Sequence, residues 1–184
     1  NLSGDPEQRY FSDGLASEIR SNLSRNALLE IVGQTSSNQF RDRKSNIQSI
    51  AQELKVSYLL DGNVQRVGDK VKIAVELTDG RSGTNKWSKI FERQLSDIFA
   101  VQSDVTAKIA NSLGSQVGVI RKWQLKLAQH KPPNSLTAYD TYLMADAVAL
   151  TPVGGVTKEG LIEGEKLFRK AIELDPQLAR AYVG

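Results

Sequence analysis

Between Val71 and Thr78 the chain alternates without a slip: Val71, Ile73, Val75 and Leu77 on one side, Lys72, Ala74, Glu76 and Thr78 on the other. A period of two fits a strand with one buried and one wetted face. It does not fit a helix, whose apolar positions recur every three to four residues. The flanking segments supply partners. Val56, Tyr58, Leu60 and Val64 share one face of the preceding run, with an irregularity expected at Gly62, and Val67-Gly-Asp-Lys70 is a turn. Asp79-Gly-Arg-Ser-Gly83 is a second turn, and Lys86 to Arg93, with Trp87 and Phe91, makes a third strand. These three runs predict an antiparallel meander.

Helical periods surround the meander. Ser12 is expected to cap a helix carrying Leu15, Ala16, Ile19 and Leu23, with Asp13 in its first turn. Leu28-Leu-Glu-Ile-Val32, bounded by Gly33, reads as a short buried strand. Ser45-Asn-Ile-Gln48 has the form of a capping box and opens a helix with Ile47, Ile50, Ala51 and Leu54. After the meander, Ser96 is expected to cap a long helix with Ile98, Val101, Val105, Ile109 and Leu113 on one stripe. Gly114 and Gly118 weaken it, and whether it breaks there stays open. Pro132-Pro-Asn134 marks a boundary. Helices are expected from Leu136 to Leu150 and from Thr157 to Leu174, with Asp175-Pro176 ending the second.

A chain of 184 residues holds one ordinary domain and a small appendage. No run of about 18 apolar residues occurs, so no membrane span is expected in this segment. A net charge of +3 is too mild to imply nucleic acid. The absence of cysteine excludes disulfides, thiolate zinc sites and thiol catalysis, and leaves the compartment open. The first helix has no strand before it, and Asn1-Leu-Ser-Gly-Asp-Pro6 reads as mid-loop sequence, so a strand preceding Asn1 is expected.

Nothing in the sequence assembles a reactive centre. His130, the one histidine, sits beside Lys131 and Pro132 with no carboxylate near it in sequence and reads as a solvated linker residue. The glycine-rich phosphate loops, the dinucleotide fingerprint and the nucleophile elbow are missing. Asp61, Glu92, Asp97 and Asp104 do not fall at metal-ligand spacing. Ser3-Gly-Asp-Pro6 leads toward a helix start, but Asp5, Glu7 and Asp13 would repel a phosphate. The stretch from Arg121 to Lys131 mixes cations with Trp123, Leu125 and Leu127 and could touch anionic lipid or nucleic acid. The favoured reading docks Trp123 and Leu127 on the neighbouring repeat and leaves the charges in water. No catalytic, cofactor-binding or metal residue is assigned, and no cofactor is expected.

The last fifty residues carry the sharpest spacing. Gly164, Phe168, Ala171 and Pro176 follow the order small, aromatic, small, proline that marks the second helix of a tetratricopeptide repeat, a unit of about 34 residues. Tyr182 falls where a following repeat places its first aromatic. Ala145 is the matching small position of the first helix, while Thr141 stands where an aromatic is usual. The long gap to Gly164 requires an insertion around Pro152-Val-Gly-Gly155. The repeat-packing set is therefore Ala145, Gly164, Phe168, Ala171, Pro176 and Tyr182, in what resembles an atypical, capping first repeat.

The whole chain resembles the TolB amino-terminal-like (FlgO-like) domain followed by such repeats. The likeness is carried by residues 1–15, by Ala51-Gln-Glu-Leu-Lys-Val-Ser-Tyr-Leu-Leu-Asp-Gly-Asn-Val64, by Val71 to Gly80, by Thr84 to Trp87, by Leu95 to Gln102 and by Asn134 to Asp140. The resemblance implies a segment lying downstream of a bacterial class III adenylate or guanylate cyclase domain or of a winged-helix domain, often beyond a membrane span. None of a cyclase domain's metal-binding or base-selecting residues can be placed here.

These readings combine into an α/β fold: a two-layer mixed sheet with helices on one face over residues 1–118, then an all-α tetratricopeptide-type hairpin. Residues 119–134 are a basic linker or helix extension, and 135–184 hold the first repeat and the start of the next. The expected role is a non-catalytic regulatory, protein-interaction region of a cyclase-containing signalling protein. It would bind a protein partner or self-associate through the repeats, on the extracytoplasmic side of a membrane-anchored parent or in the cytoplasm. The rivals are a small-ligand sensor with a pocket between the first helix and the sheet, and a structural envelope module.

Overall fold

The computed structural model describes residues 6–26, 29–41, 46–94, 97–115, 118–149 and 156–178. The chain divides into two compact units, Asn1–Val119 and Ile120–Gly184.

The first unit is built on the meander. β1 (Tyr58–Val67), β2 (Lys70–Asp79) and β3 (Asn85–Gln94) pair antiparallel in the order β1-β2-β3. Residues opposite one another share a face. Val64, Ile73 and Phe91 form one such row across the sheet, and all three are buried. Gln65, Lys72 and Glu92 form a row of the other face and are exposed. The β1–β2 connection needs only Gly68 and Asp69. Gly68 takes φ 58° while Asp69 keeps a negative φ, the pattern of a type II′ turn, whose twist matches that of the strands.

Helices cover the Ile73 face. α1 (Pro6–Ser24) and α3 (Ile47–Leu54) lie against β1, and α4 (Ile98–Gly114) lies against β3 and along α1. Phe11, Leu15, Ile19 and Leu23 are the buried stripe of α1. Val101, Val105, Ile109 and Leu113 are that of α4. The two helices run in the same direction, because Gly14 meets Gln102 at one end and Leu23 meets Gly114 at the other. Arg93 of β3 holds Asp104 of α4 at 2.9 Å. With Lys108 bonded to the same carboxylate, these cations keep Asp104 below the ordinary carboxylate range.

Several expectations need correction. The sheet is antiparallel among the described residues, where a mixed sheet was expected. Leu29 to Val32 form no ladder, and a short helix, α2 (Gln34–Asn38), follows them; Leu28 lies outside the described residues. A five-residue run with four apolar residues does not by itself distinguish a strand from a packed loop. α1 starts at Pro6, not at Ser12. Its apolar stripe begins one turn earlier, at Phe11, and proline is tolerated in a first helical turn. Ser45 and Ser96 lie outside the described residues, and the caps are supplied by their neighbours. Asn46 accepts from the Ser49 N–H at 2.7 Å, and Asp97 accepts from the N–H groups of Phe99 and Ala100. Gly62 sits in regular pairing. The register shift falls between Leu77 and Thr78 on the β3 side.

The long helix breaks. α4 ends at Gly114, the Gly118 N–H donates to the Ser115 carbonyl at 2.8 Å, and α5 (Val119–Gln129) begins. The second unit continues with a single 3-10 turn (Pro133–Ser135), α6 (Ala138–Ala149) and α7 (Lys158–Leu174).

Candidate functional site

The helical unit gathers the residues singled out by spacing. α6 and α7 form an antiparallel hairpin: Gly160 lies against Val148, Gly164 against Ala145 and Ala149, and Phe168 against Tyr142. Ala145 and Ala171 are fully buried, Phe168 is 7% exposed, and the three form one apolar cluster. Gly164 is buried against α6. A Cβ built there would stand 3.0 Å from the Ala149 Cβ, so the approach is set by the missing side chain. Pro176 is exposed just past the end of α7, where the Asp175 N–H closes the last turn on the Ala171 carbonyl at 3.0 Å. Tyr182 lies outside the described residues, as does the loop around Pro152-Val-Gly-Gly155.

The aromatic missing at Thr141 is present one residue later. Thr141 is 1% exposed and donates its hydroxyl to the Thr137 carbonyl at 3.0 Å. Tyr142 instead reaches the cluster, its ring 5.9 Å from Phe168 and 6.0 Å from Tyr139. Spacing alone did not single out Tyr142, because a shift of one position turns a helical side chain by about 100°.

α5 is fastened to α6 by polar contacts that also escaped the sequence reading. Arg121 pairs with Asp146 and lies over the Tyr142 ring at 5.6 Å. Tyr139 donates to Gln124 at 3.3 Å. Lys131, just beyond α5, bonds Asp140 at 2.6 Å. Asp140 is itself half of a reciprocal cap: its carboxylate accepts from the Thr137 N–H at 2.9 Å, while the Thr137 hydroxyl accepts from the Asp140 N–H at 3.1 Å. The residue order Thr137-Ala-Tyr-Asp140 is the legible signal for that cap.

Burial pushes the Asp140 carboxyl up. The Lys131 ammonium and the Thr137 hydroxyl and N–H outweigh burial and hold it below the ordinary carboxylate range. A carboxyl depressed in the folded state stabilises the fold above its unfolded pKa of about 3.9, and the contribution is lost as pH falls below that value. Asp140→Asn is expected to cost about 1 kcal/mol near neutral pH. The gap between the variant and the unaltered chain should close as pH falls below about 4. Urea unfolding at several pH values checks this; a gap that widens in acid contradicts it.

His130 is exposed, and its Nδ1 hydrogen bonds the Lys126 carbonyl at 2.7 Å. Asp61 stands opposite Glu76 on the open face of the sheet. Partial desolvation first, and the Glu76 charge second, hold its carboxyl above the ordinary range, although the residue stays exposed. Among the described residues no three His, Cys, Asp or Glu gather around a point that could hold a metal ion. No described helix is long and apolar enough to cross a membrane. The sensor reading places a pocket between the first helix and the sheet. A cleft of about 300 Å³ lies between the C-terminal ends of α1 and α4, lined by Asn22, Leu23, Asn26, Asn111 and Ser115 among others. Asn26 there already donates its amide to the Gly114 carbonyl.

Against this geometry stand the comparisons with known proteins. The chain is 31% identical over 182 residues, 99% of its length, to a protein of Rhizobium meliloti (strain 1021) named "Putative adenylate cyclase 3". It spans 30% of that protein's length. No family model matches the chain. The similarity therefore links the chain to one segment of a cyclase-named protein.

Proposed function

We propose that this chain is a non-catalytic regulatory and protein-interaction region of a longer bacterial signalling protein whose output domain is a class III adenylate or guanylate cyclase. The carrying observation is the match to the Rhizobium relative along nearly the whole chain but under a third of the relative. In this reading the cyclase domain lies outside these residues. The first unit is a TolB amino-terminal-like domain and the hairpin of α6 and α7 is the first tetratricopeptide repeat. Close approach at Gly164 and the filling of the groove by Phe168 support the repeat reading. So do Leu161, Ile162 and Leu174, which α7 leaves about half exposed. Repeats of this kind stack, because a single one cannot bury its apolar surface alone.

The mechanism follows from that architecture. Stacked hairpins present a groove in which a partner's helix or peptide buries apolar side chains. Binding there shifts the attached domains between arrangements only as far as the partner prefers one of them. The partner is a protein or a second copy of the parent, and the region acts on the extracytoplasmic side of a membrane-anchored parent.

Two assays test the proposal. The purified chain, given ATP or GTP with Mg²⁺ or Mn²⁺, is expected to form no cyclic nucleotide. The parent lacking residues 138–178 is expected to differ in cyclic-nucleotide output or in oligomeric state. Turnover by the chain alone, or a parent indifferent to the deletion in both respects, rejects the reading.

A further inference from the structure

We propose that the outer face of α5 is a peripheral docking surface for an anionic lipid bilayer. The inference is independent of the regulatory reading. From Val119 to Lys131 the chain carries four cations and no Asp or Glu. The fold uses them unequally. Arg121 and Lys131 are committed to Asp146 and Asp140. Lys122 and Lys126 are exposed, and neither has an ion-pair partner among the described residues.

Helical spacing puts Lys122, Trp123, Lys126 and Leu127 on one face, since residues four apart stack on a helix. Trp123 and Leu127 are the pair expected to dock inward. Leu127 is instead 54% exposed, while Trp123 is partly covered, with the Lys126 ammonium 5.1 Å from its ring centroid. The inward contact is made by Ala128, which is 1% exposed, and by the long side chains of Arg121 and Gln124. The outward face thus combines two ammonium groups without ion-pair partners among the described residues and an exposed leucine, with the partly covered indole of Trp123 beside them.

That combination suits a flat, negatively charged, apolar-cored surface. Lysines reach phosphates while their stems and Leu127 enter the headgroup boundary, where tryptophan is at home. A single convex helix face offers no groove for a peptide. Nucleic acid would need an open ring to stack a base, and Lys126 lies over the Trp123 ring. Each lysine near an anionic leaflet contributes on the order of fivefold in partition, so the contact is weak and sensitive to salt.

Sedimentation of the full chain with phosphatidylcholine vesicles, with and without one third phosphatidylglycerol, is the test. The chain is expected to partition onto the anionic vesicles at low ionic strength and to be released by salt. Lys122→Glu with Lys126→Glu should lower that partition by about tenfold or more. Lys166→Glu with Lys170→Glu makes the same charge change on α7 and should leave it within about twofold, if the face matters rather than net charge alone. Leu127→Ala should weaken binding without altering its salt dependence. Failure of the unaltered chain to bind anionic vesicles overturns the proposal. Equal loss in the two double variants overturns it too, as does displacement of vesicles by single-stranded RNA.

Discussion

Replacing Phe168 with alanine is expected to lower the stability of the helical unit by about 3–5 kcal/mol. The ring is 7% exposed and fills the space between Ala145, Ala171 and Tyr142. Ala145 across the hairpin and Ala171 on the same helix have short side chains that cannot extend into a cavity, so little of the lost contact is recovered there by collapse. Gly164→Leu attacks the same hairpin from the opposite direction. The Cβ alone would stand 3.0 Å from Ala149 and 3.4 Å from the Ala145 carbonyl, and a full leucine has nowhere to go unless α6 and α7 separate. Gly164→Ala is milder, since the crowding is offset by the gain of about 1 kcal/mol from replacing glycine in a helix. Urea unfolding followed by circular dichroism reads all three. A Phe168→Ala cost below about 1 kcal/mol would show that the cluster does not hold the hairpin.

In the sheet unit, Ile73→Ala should cost about 2–5 kcal/mol, while Ile90→Ala should stay within about 0.5 kcal/mol. The two isoleucines lie on paired strands, one residue out of register, and therefore on opposite faces. Ile73 is 0% exposed beneath the helices, whereas Ile90 is 59% exposed. Similar costs at both positions would mean that the second face is also covered and that the two-layer description fails.

Legibility in the sequence followed the strength of local signals. The meander was readable because strands of period two, bounded by glycine turns, permit one register if Val71, Ile73, Val75 and Leu77 are all to be buried. The stripes of α3, α4 and α7 were readable for the same reason at the helical period. Ends were not. The start of α1 depended on Phe11, which tertiary packing draws inward, and the caps of α3 and α4 fell one residue beyond the expected serines. The run before Gly33 failed because four apolar residues carry no period. At the candidate site, small positions were legible from spacing, since close helix approach demands them. The contacts between α5 and α6 were not, because Arg121 with Asp146, and Lys131 with Asp140, join residues 25 and 9 positions apart. Nor did composition show that α5 turns Leu127 outward. That depends on which side of a basic helix the acids of α6 claim.

The regulatory account is tested most directly by cyclic-nucleotide output of the parent protein carrying Gly164→Leu, compared with the unaltered parent and with Arg169→Ala, a change confined to the exposed face of α7. The account predicts that the glycine variant alters output or its response to partner while Arg169→Ala does not. Identical output from all three, with the hairpin shown by circular dichroism to be unfolded in the glycine variant, would contradict it.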